Sequence, residues 1–343
     1  MTHNMREVYI IAATRTPIGG FGGQLSSLSA TELGGFAIRS AIEKSGITDL
    51  SLISEVLMGN VLSSNLGQAP ARQTALKAGL SISTPCTTIN KVCASGMKAV
   101  MLGAQAIMCG QAEIVVAGGM ESMSNVPYYL PKARFGYKYG DGNLVDGLQK
   151  DGLQVKGRRG EKNLISEDED FKKVNFEKIP TLKPVFLLEG TVTAANASNI
   201  SDGASALILA DKKTAMSMNL PIIGKIRGFS DAASDPLWFT TAPSLAIPKA
   251  LKIAGVNSSD IDYYEINEAF AAVALANQEL LSIPEKKLNV YGGAVALGHP
   301  LGCSGSRIIT TLLSILHQEN GNLGVAGICN GGGGASAIVI EKM

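Results

Sequence analysis

A thiol and an imidazole occupy two stretches of this chain that share one layout. Asn90-Lys-Val-Cys93-Ala-Ser-Gly96 places a cysteine just before Ser95-Gly96, and Ala117-Gly118 follows 21 residues after that glycine. Gly298-His299-Pro-Leu-Gly-Cys-Ser-Gly305 places a histidine before Ser304-Gly305, and Ala326-Gly327 follows at the same interval. Between these marks each copy reads as an apolar helix and then a short apolar strand. Two such halves can carry Cys93 and His299 to one place, as covalent thiol chemistry requires. Cys93 lies where a strand yields to a helix beginning near Ala94 or Ser95. Backbone N–H groups and the helix dipole are therefore expected to lower its pKa. The competing reading is a buried, inert cysteine. His299 reads as part of a glycine-flanked turn, with Gly292-Gly293 and Gly298 before it and Gly302 and Gly305 after, so backbone and substrate can crowd its ring; an ordinary core histidine is the alternative. His3 lies in the terminal segment and His317 on an exposed helix end, which leaves His299 as the candidate base.

Cys329 ends an apolar strand and opens Asn330-Gly-Gly-Gly-Gly334, whose free N–H groups suit an oxyanion site. Phosphate is another anion they could hold, but the GxGxxG spacing and the P-loop lysine are absent. Asn267, in Glu265-Ile-Asn-Glu-Ala-Phe270, falls at a strand-to-helix junction. It is either a helix cap or the holder of a water or carbonyl oxygen beside His299. A cysteine hydrolase needs one nucleophile and one base. A second thiol at a glycine loop suggests a further proton transfer, as when a carbon acid is deprotonated. Cys86, Cys109 and Cys303 read as structural.

Strands and helices alternate around these residues. Strands are expected over 8–13, 56–59, 87–92 and 114–117, with helices over 31–45, 70–78 and 94–109. After a polar middle, strands are expected over 204–210, 222–229, 262–266, 323–328 and 337–340. Helices are expected over 244–253 (Pro248 near its first turn or kinking it), 268–281 and 308–317. The alternation implies a parallel or mixed sheet covered by helices. Between 128 and 183, runs such as Lys156-Gly-Arg-Arg-Gly-Glu-Lys162 and Glu167-Asp-Glu-Asp170 read as a solvated excursion. In a sharper reading Arg158 and Arg159 contact a phosphorylated ligand.

At 343 residues the chain can build about two domains and a large core. A 45% hydrophobic and 17% charged composition is that of a soluble folded protein. A net charge of +1 argues against nucleic acid or an acidic membrane surface as partner. No secretory signal and no membrane-spanning run is expected. Five cysteines without paired spacing suggest free thiols in a reducing, cytoplasmic setting, and three histidines with no CxxC make a metal site improbable.

Several stretches, in order along the whole chain, resemble the thiolase family. They are Arg15-Thr-Pro-Ile-Gly-Gly-Phe-Gly-Gly23, Gly67-Gln-Ala-Pro-Ala-Arg-Gln73, Val92-Cys-Ala-Ser-Gly96, Ala117-Gly-Gly-Met-Glu-Ser-Met-Ser124, Asn267-Glu-Ala-Phe270, Gly292-Gly-Ala-Val-Ala-Leu-Gly-His-Pro300 and Cys329-Asn-Gly-Gly-Gly-Gly334. The segment from Gly190 to Gly203 matches as well, and within the family the chain is most similar to the acetoacetyl-CoA thiolases. The resemblance implies an α/β fold with a duplicated βαβαβαββ core in five layers, α-β-α-β-α. Residues 1–120 with 188–212 would form one core half, 213–343 the other, and 121–187 a loop domain. That loop domain is shortened, with on the order of fifty residues missing between Gln154 and Val155. The resemblance also assigns Cys93 as the acyl-carrying nucleophile, Cys329 as acid and base, and His299 as activator of Cys93. Asn267 with a water, and His299, would bind the thioester oxygen; the N–H groups of Cys93 and Gly331 would form a second oxyanion hole. Ser198 and Phe270 fall near the pantetheine and acyl pocket. The implied partners are acetyl-CoA, CoA and acetoacetyl-CoA, with no separate cofactor, and the implied assembly is a homodimer or homotetramer using the segment around 67–73. A degradative 3-ketoacyl-CoA thiolase of longer chains and a CoA-binding scaffold of impaired catalysis are the alternatives. Ketoacyl synthases fit less well, because of Cys329.

Overall fold

The computed structural model describes residues 5–152 and 166–343. His3, the join between Gln154 and Val155, and the basic run with Arg158 and Arg159 lie outside the described residues. Numbering only strands of four residues or more and helices of eight or more, the first half contains β1 (Val8–Arg15), α1 (Ala30–Ser45), β2 (Glu55–Gly59), α2 (Pro70–Lys77), β3 (Cys86–Ile89), α3 (Ser95–Met108), β4 (Ile114–Ser122) and β5 (Ser201–Asp211). This is a βαβαβαββ run. The second half contains β6 (Gly224–Ala233), α4 (Pro243–Ala254), β7 (Tyr263–Ile266), α5 (Ala271–Leu281), α6 (Leu301–Gln318), β8 (Leu323–Asn330) and β9 (Gly334–Lys342). Here the third strand shrinks to one parallel bridge, Tyr264 to Leu288. Asn289 replaces the rest of it with a side chain. Its Oδ1 accepts from the Ile266 N–H at 2.8 Å and its Nδ2 donates to the Ile266 carbonyl at 2.9 Å. The edge groups of β7 are satisfied without a neighbouring strand.

Strand order repeats with the sequence. The first half-sheet runs β3-β2-β4-β5-β1, and the second runs from the Leu288 bridge through β7-β8-β9-β6. The halves join along one antiparallel seam, pairing Val8 with Ile226, Tyr9 with Lys225 and Ile10 with Gly224. Alternation along each strand feeds two cores at once. In β4, Val115 and Ala117 enter the central core, whereas Ile114 and Val116 enter the outer core under α1 and α2. In β9, Ile338 and Ile340 face the centre, while Ala337 and Val339 face the outer core under α4. The helices α3 and α6 fill the space between the half-sheets, so the layers run α-β-α-β-α.

The helix expected over 308–317 begins earlier, at Leu301, and Gly302-Cys-Ser-Gly305 is helical instead of a turn. Packing explains the small residues. A Cβ on Gly305 would lie 2.4 Å from the Met97 nitrogen in α3. One on Gly96 would lie 2.7 Å from the Gly302 carbonyl oxygen and from Ser306 Oγ. The first turns of α3 and α6 therefore cross backbone against backbone. Two other helices also differ from expectation. α5 starts at Ala271, not at 268, and α4 begins at Pro243, where no N–H is required, with Pro248 accommodated inside.

Between β4 and β5 the chain makes a small ladder of Tyr128–Tyr129 with Val145–Asp146 and several short turns. The acidic run at 167–170, expected to be solvated, instead docks on the glycine-rich segment after β1. Arg15 forks onto Asp168 at 2.7 and 2.8 Å, and Glu169 accepts from the N–H groups of Gly20 and Gln24 at 3.0 and 3.2 Å. A turn with unpaired N–H groups needs acceptors, and the carboxylates supply them.

The crossing of α3 and α6 leaves no space for a methyl group. Gly305→Ala should destabilise the fold by about 3 kcal/mol, the upper range for overpacking a filled core. Urea unfolding of the variant beside the parent chain measures it, and an unchanged midpoint would show that the crossing can relax.

Candidate active site

The residues singled out by type and spacing converge at one end of this crossing. Cys93 stands just ahead of α3, in a turn that includes Val92 at a φ of +48°, a strained conformation for a β-branched residue. Two side chains hold the turn. Ser95 Oγ accepts from the Lys91 N–H at 2.8 Å and donates to the Val92 carbonyl at 2.6 Å, and Asn90 Oδ1 accepts from the Val92 N–H at 3.0 Å. The N–H groups of Gly331 and of Cys93 itself both point at the Cys93 sulfur. They do not produce the lowered pKa expected from the helix terminus. Burial outweighs them and pushes the thiol up to about 11.

His299 occupies the corresponding place before α6, and its ring is buried. Nδ1 lies 2.6 Å from Ser304 Oγ, which donates its only hydrogen to the Pro300 carbonyl at 2.9 Å. The serine must then accept from Nδ1–H, leaving the Nε2 lone pair directed at the site. Burial, with the positive charge of Arg307 behind it, lowers the His299 pKa to about 3, so the ring is neutral at pH 7. Ser95 and Ser304, matched positions of the two repeats, thus do matched work: one fixes the cysteine turn, the other the imidazole.

Cys329 is fully buried near the end of β8, directly before the hairpin into β9. Gly332 and Gly333 in that hairpin have φ of +86° and +87°, which side chains other than glycine rarely adopt. Burial and the neighbouring Cys93 sulfur raise the Cys329 thiol well above its ordinary range. Asn267 is not a helix cap, since Phe270 takes that position in α5. Its N–H extends the parallel ladder to the Gly327 carbonyl at 3.0 Å, and its Nδ2 lies 3.5 Å from His299 Nε2.

A cavity of about 650 Å³ has Cys93, His299, Gly331, Ser198 and Phe270 in its wall, whereas the buried Cys329 and Asn267 are not part of that wall. Ser198 Oγ donates to the Ala269 carbonyl at 2.9 Å and so ties two walls together. The Phe270 ring meets Phe186 and Phe239 edge to face, at centroid distances of 5.9 and 6.4 Å.

Reading the sequence missed four supporting residues. Arg307 and Glu265 are buried and face each other at 3.8 Å behind Asn267. A charge inside each of two apolar runs was the available signal, because buried charges need partners. Asn289 braces the Asn267 loop by donating to Glu268 Oε1 at 2.9 Å. Glu121 is buried beneath the site and accepts from Asn60 Nδ2 at 2.7 Å and from the N–H groups of Val61, Leu62 and Gly302 at 3.0, 3.1 and 2.9 Å. It anchors the first turn of α6 to the loop after β2, while burial raises its own pKa to about 7.

Comparison with known proteins agrees with this geometry. The family described as "Thiolase, N-terminal domain" matches residues 8–156 and 153–213, and "Thiolase, C-terminal domain" matches 220–342. The chain is 51% identical over 392 aligned positions to an acetyl-CoA acetyltransferase of Schizosaccharomyces pombe, covering 98% of this chain and 99% of that protein. It is 50% identical to acetyl-CoA acetyltransferase 2 of Arabidopsis thaliana, over 99% of this chain and 98% of the relative. An alignment of 392 positions against 343 residues leaves at least 49 positions opposite no residue here. Among solved structures, the Acat5 thiolase of Ascaris suum in complex with coenzyme A superimposes with a TM-score of 0.92 at 41% identity, covering 98% of this chain and all of that one. With both family halves matched and the duplicated core in place, the chain belongs to the thiolase family.

Proposed function

We propose that this chain is an acetyl-CoA C-acetyltransferase that joins two acetyl-CoA molecules into acetoacetyl-CoA and free CoA, reversibly and by a ping-pong route through acetyl-Cys93. The observation that carries the reading is the meeting of Cys93 and a neutral His299 at one cavity, with Cys329 buried beside the Cys93 sulfur. Relatives named acetyl-CoA acetyltransferase at about half identity over nearly the whole chain support it.

Proton balance orders the steps. His299 Nε2 takes the Cys93 proton as the sulfur attacks the first thioester, and the N–H groups of Cys93 and Gly331 receive the carbonyl oxygen. The departing CoA thiolate takes a proton from Cys329, leaving a Cys329 thiolate beside a charged imidazolium. That thiolate, a strong base because it is buried, removes an α-proton from the second acetyl-CoA. The enolate oxygen is held by His299 Nε2–H and by the Asn267 amide through a water. The enolate carbon attacks the acetyl group, the Cys93 sulfur departs, and His299 returns its proton. Ser198 and Phe270 line the pantetheine and acyl path. No cofactor is required, since both thiols and the imidazole come from the chain. The free cysteines are in keeping with a cytoplasmic enzyme. The exposed turn at 67–69 and exposed Ile82, near the edge strand β3, would serve a homodimer or homotetramer.

Intact-mass measurement after mixing with acetyl-CoA should show one acetyl group on the parent chain and none on Cys93→Ala; equal labelling of both would end the assignment. Cys329→Ala should still acquire the acetyl group but lose condensation by about a thousandfold, the scale of removing a general acid and base. Solvent deuterium uptake into acetyl-CoA should disappear with it.

The His299 pKa also predicts an acid limb of stability. It is about 3 in the folded chain against 6.5 ordinarily, so the unfolded chain binds more protons between these values. Stability from this group is complete above pH 6.5 and declines as pH falls towards 3. Urea midpoints at pH 7 and pH 5 should therefore separate less in His299→Gln than in the parent; equal separation would show that the ring titrates normally.

A further inference from the structure

Arg307 and Glu265 have no part in the steps above, yet both are buried to about 1% exposure in the wall behind Asn267. Glu265 and Asn267 are two residues apart at the end of β7, so they project to one side, towards α6. Ser304, Arg307 and Thr311 share one stripe of α6, and Arg307 Nη1 donates to Thr311 Oγ1 at 3.4 Å. Arg307 Nη2 donates to Asn267 Oδ1 at 3.5 Å, while Nη1 stands 3.8 Å from Glu265 Oε2. Glu265 Oε1 has no hydrogen-bond partner, and burial, opposed by the Arg307 charge, raises the Glu265 pKa to about 8.

The guanidinium has only donors, so the atom of Asn267 facing it must be the oxygen. That choice turns the Asn267 Nδ2 donors towards His299 Nε2 and the site. Were the amide to rotate by half a turn, its oxygen would face the reacting centre and repel a developing oxyanion. We propose that Arg307, paired with Glu265, is a positioning residue that locks the Asn267 amide with its N–H donors towards the enolate oxygen. The inference rests on the acyl-transfer reading and adds to it the residues that set the polarity of one oxyanion site. The pair also has an alternative use, as ballast holding β7 to α6, and the test separates the two.

A buried ion pair replaced as a unit by apolar groups usually leaves stability equal or higher, since no bare charge remains. Glu265→Leu with Arg307→Met should accordingly melt at or above the parent temperature. Its kcat for condensation should fall by about a hundredfold, the scale of losing one donor to an oxyanion, with KM for acetyl-CoA little changed. Cys93 should still be acetylated in the intact-mass measurement. In an Asn267→Ala background the same double change should cost nothing further, because the amide it orients is gone. Arg307→Lys retains the charge opposite Glu265 but loses the fork, and should lose about tenfold in kcat; if the apolar pair fails to fold, this variant decides. Parental kcat in a folded variant, or the same factor lost with and without Asn267, would overturn the proposal. A parent chain that acetyl-CoA does not acetylate would instead overturn the acyl-transfer reading itself.

Discussion

The contact between the first turns of α3 and α6 is the constraint on which the site depends. Cys93 and His299 are 206 positions apart in the chain, and each stands just ahead of one of these helices. Glycine at 96, 302 and 305 lets the two backbones touch, so main-chain packing brings the starts of both helices together. Side chains at the crossing would separate the helices by ångströms, and a proton cannot pass from sulfur to nitrogen across such a gap. Duplication supplies the symmetry of this arrangement. The same strand order, helix position and Ser-Gly mark occur twice, and the two copies meet face to face at their equivalent turns.

Burial then decides the protonation states. A helix N-terminus lowers a thiol pKa when the sulfur is partly exposed, but Cys93 is enclosed and the desolvation penalty dominates. The same penalty falls on His299 in the opposite sense and holds it neutral. Thiol and imidazole thus rest uncharged, and in the proposed reaction an ion pair would form only when a thioester arrives to share the proton transfer. In the proposed reaction the charge would develop where Gly331, Cys93 and Asn267 already present donors, which need no rearrangement as the charge moves.

Much of this was legible in the sequence. Cys93, His299, Cys329 and the glycine loop stand out by residue type and spacing, because a repeated motif and paired punctuation survive without coordinates. The five-layer fold came only through family resemblance, since alternating strands and helices are compatible with several α/β architectures. Three local readings failed for physical reasons. Gly302-Cys-Ser-Gly305 looked like a turn because glycine disfavours helix, and tertiary contact with α3 overrode that preference. Of the two roles open for Asn267, the cap fails, because the helix starts four residues later and its amide faces Arg307 and His299. The acidic run at 168–169 looked solvated because nothing in its composition reveals the unpaired N–H groups it meets.

A shortening of the middle segment, proposed from the family resemblance, would affect binding more than chemistry. Every hydrogen bond described around the reacting groups originates in the duplicated core: Ser304 and Arg307 from α6, Gly331 from the β8–β9 hairpin, Asn289 from the loop before α6, Glu121 from β4. Among the described residues of the middle segment, those in the cavity wall are Gly152, Asp170, Lys173, Val174, Val185 and Phe186, and none of them bonds a catalytic group. Phe186 and Val185 remain substantially exposed beside the cavity, at 61% and 47%. In the proposed reaction, a core that sets the proton chemistry by itself would keep its reacting groups after losing part of a wall added from elsewhere. Such a loss would instead weaken the grip on the CoA tail, whose contacts would draw on surface supplied by that wall.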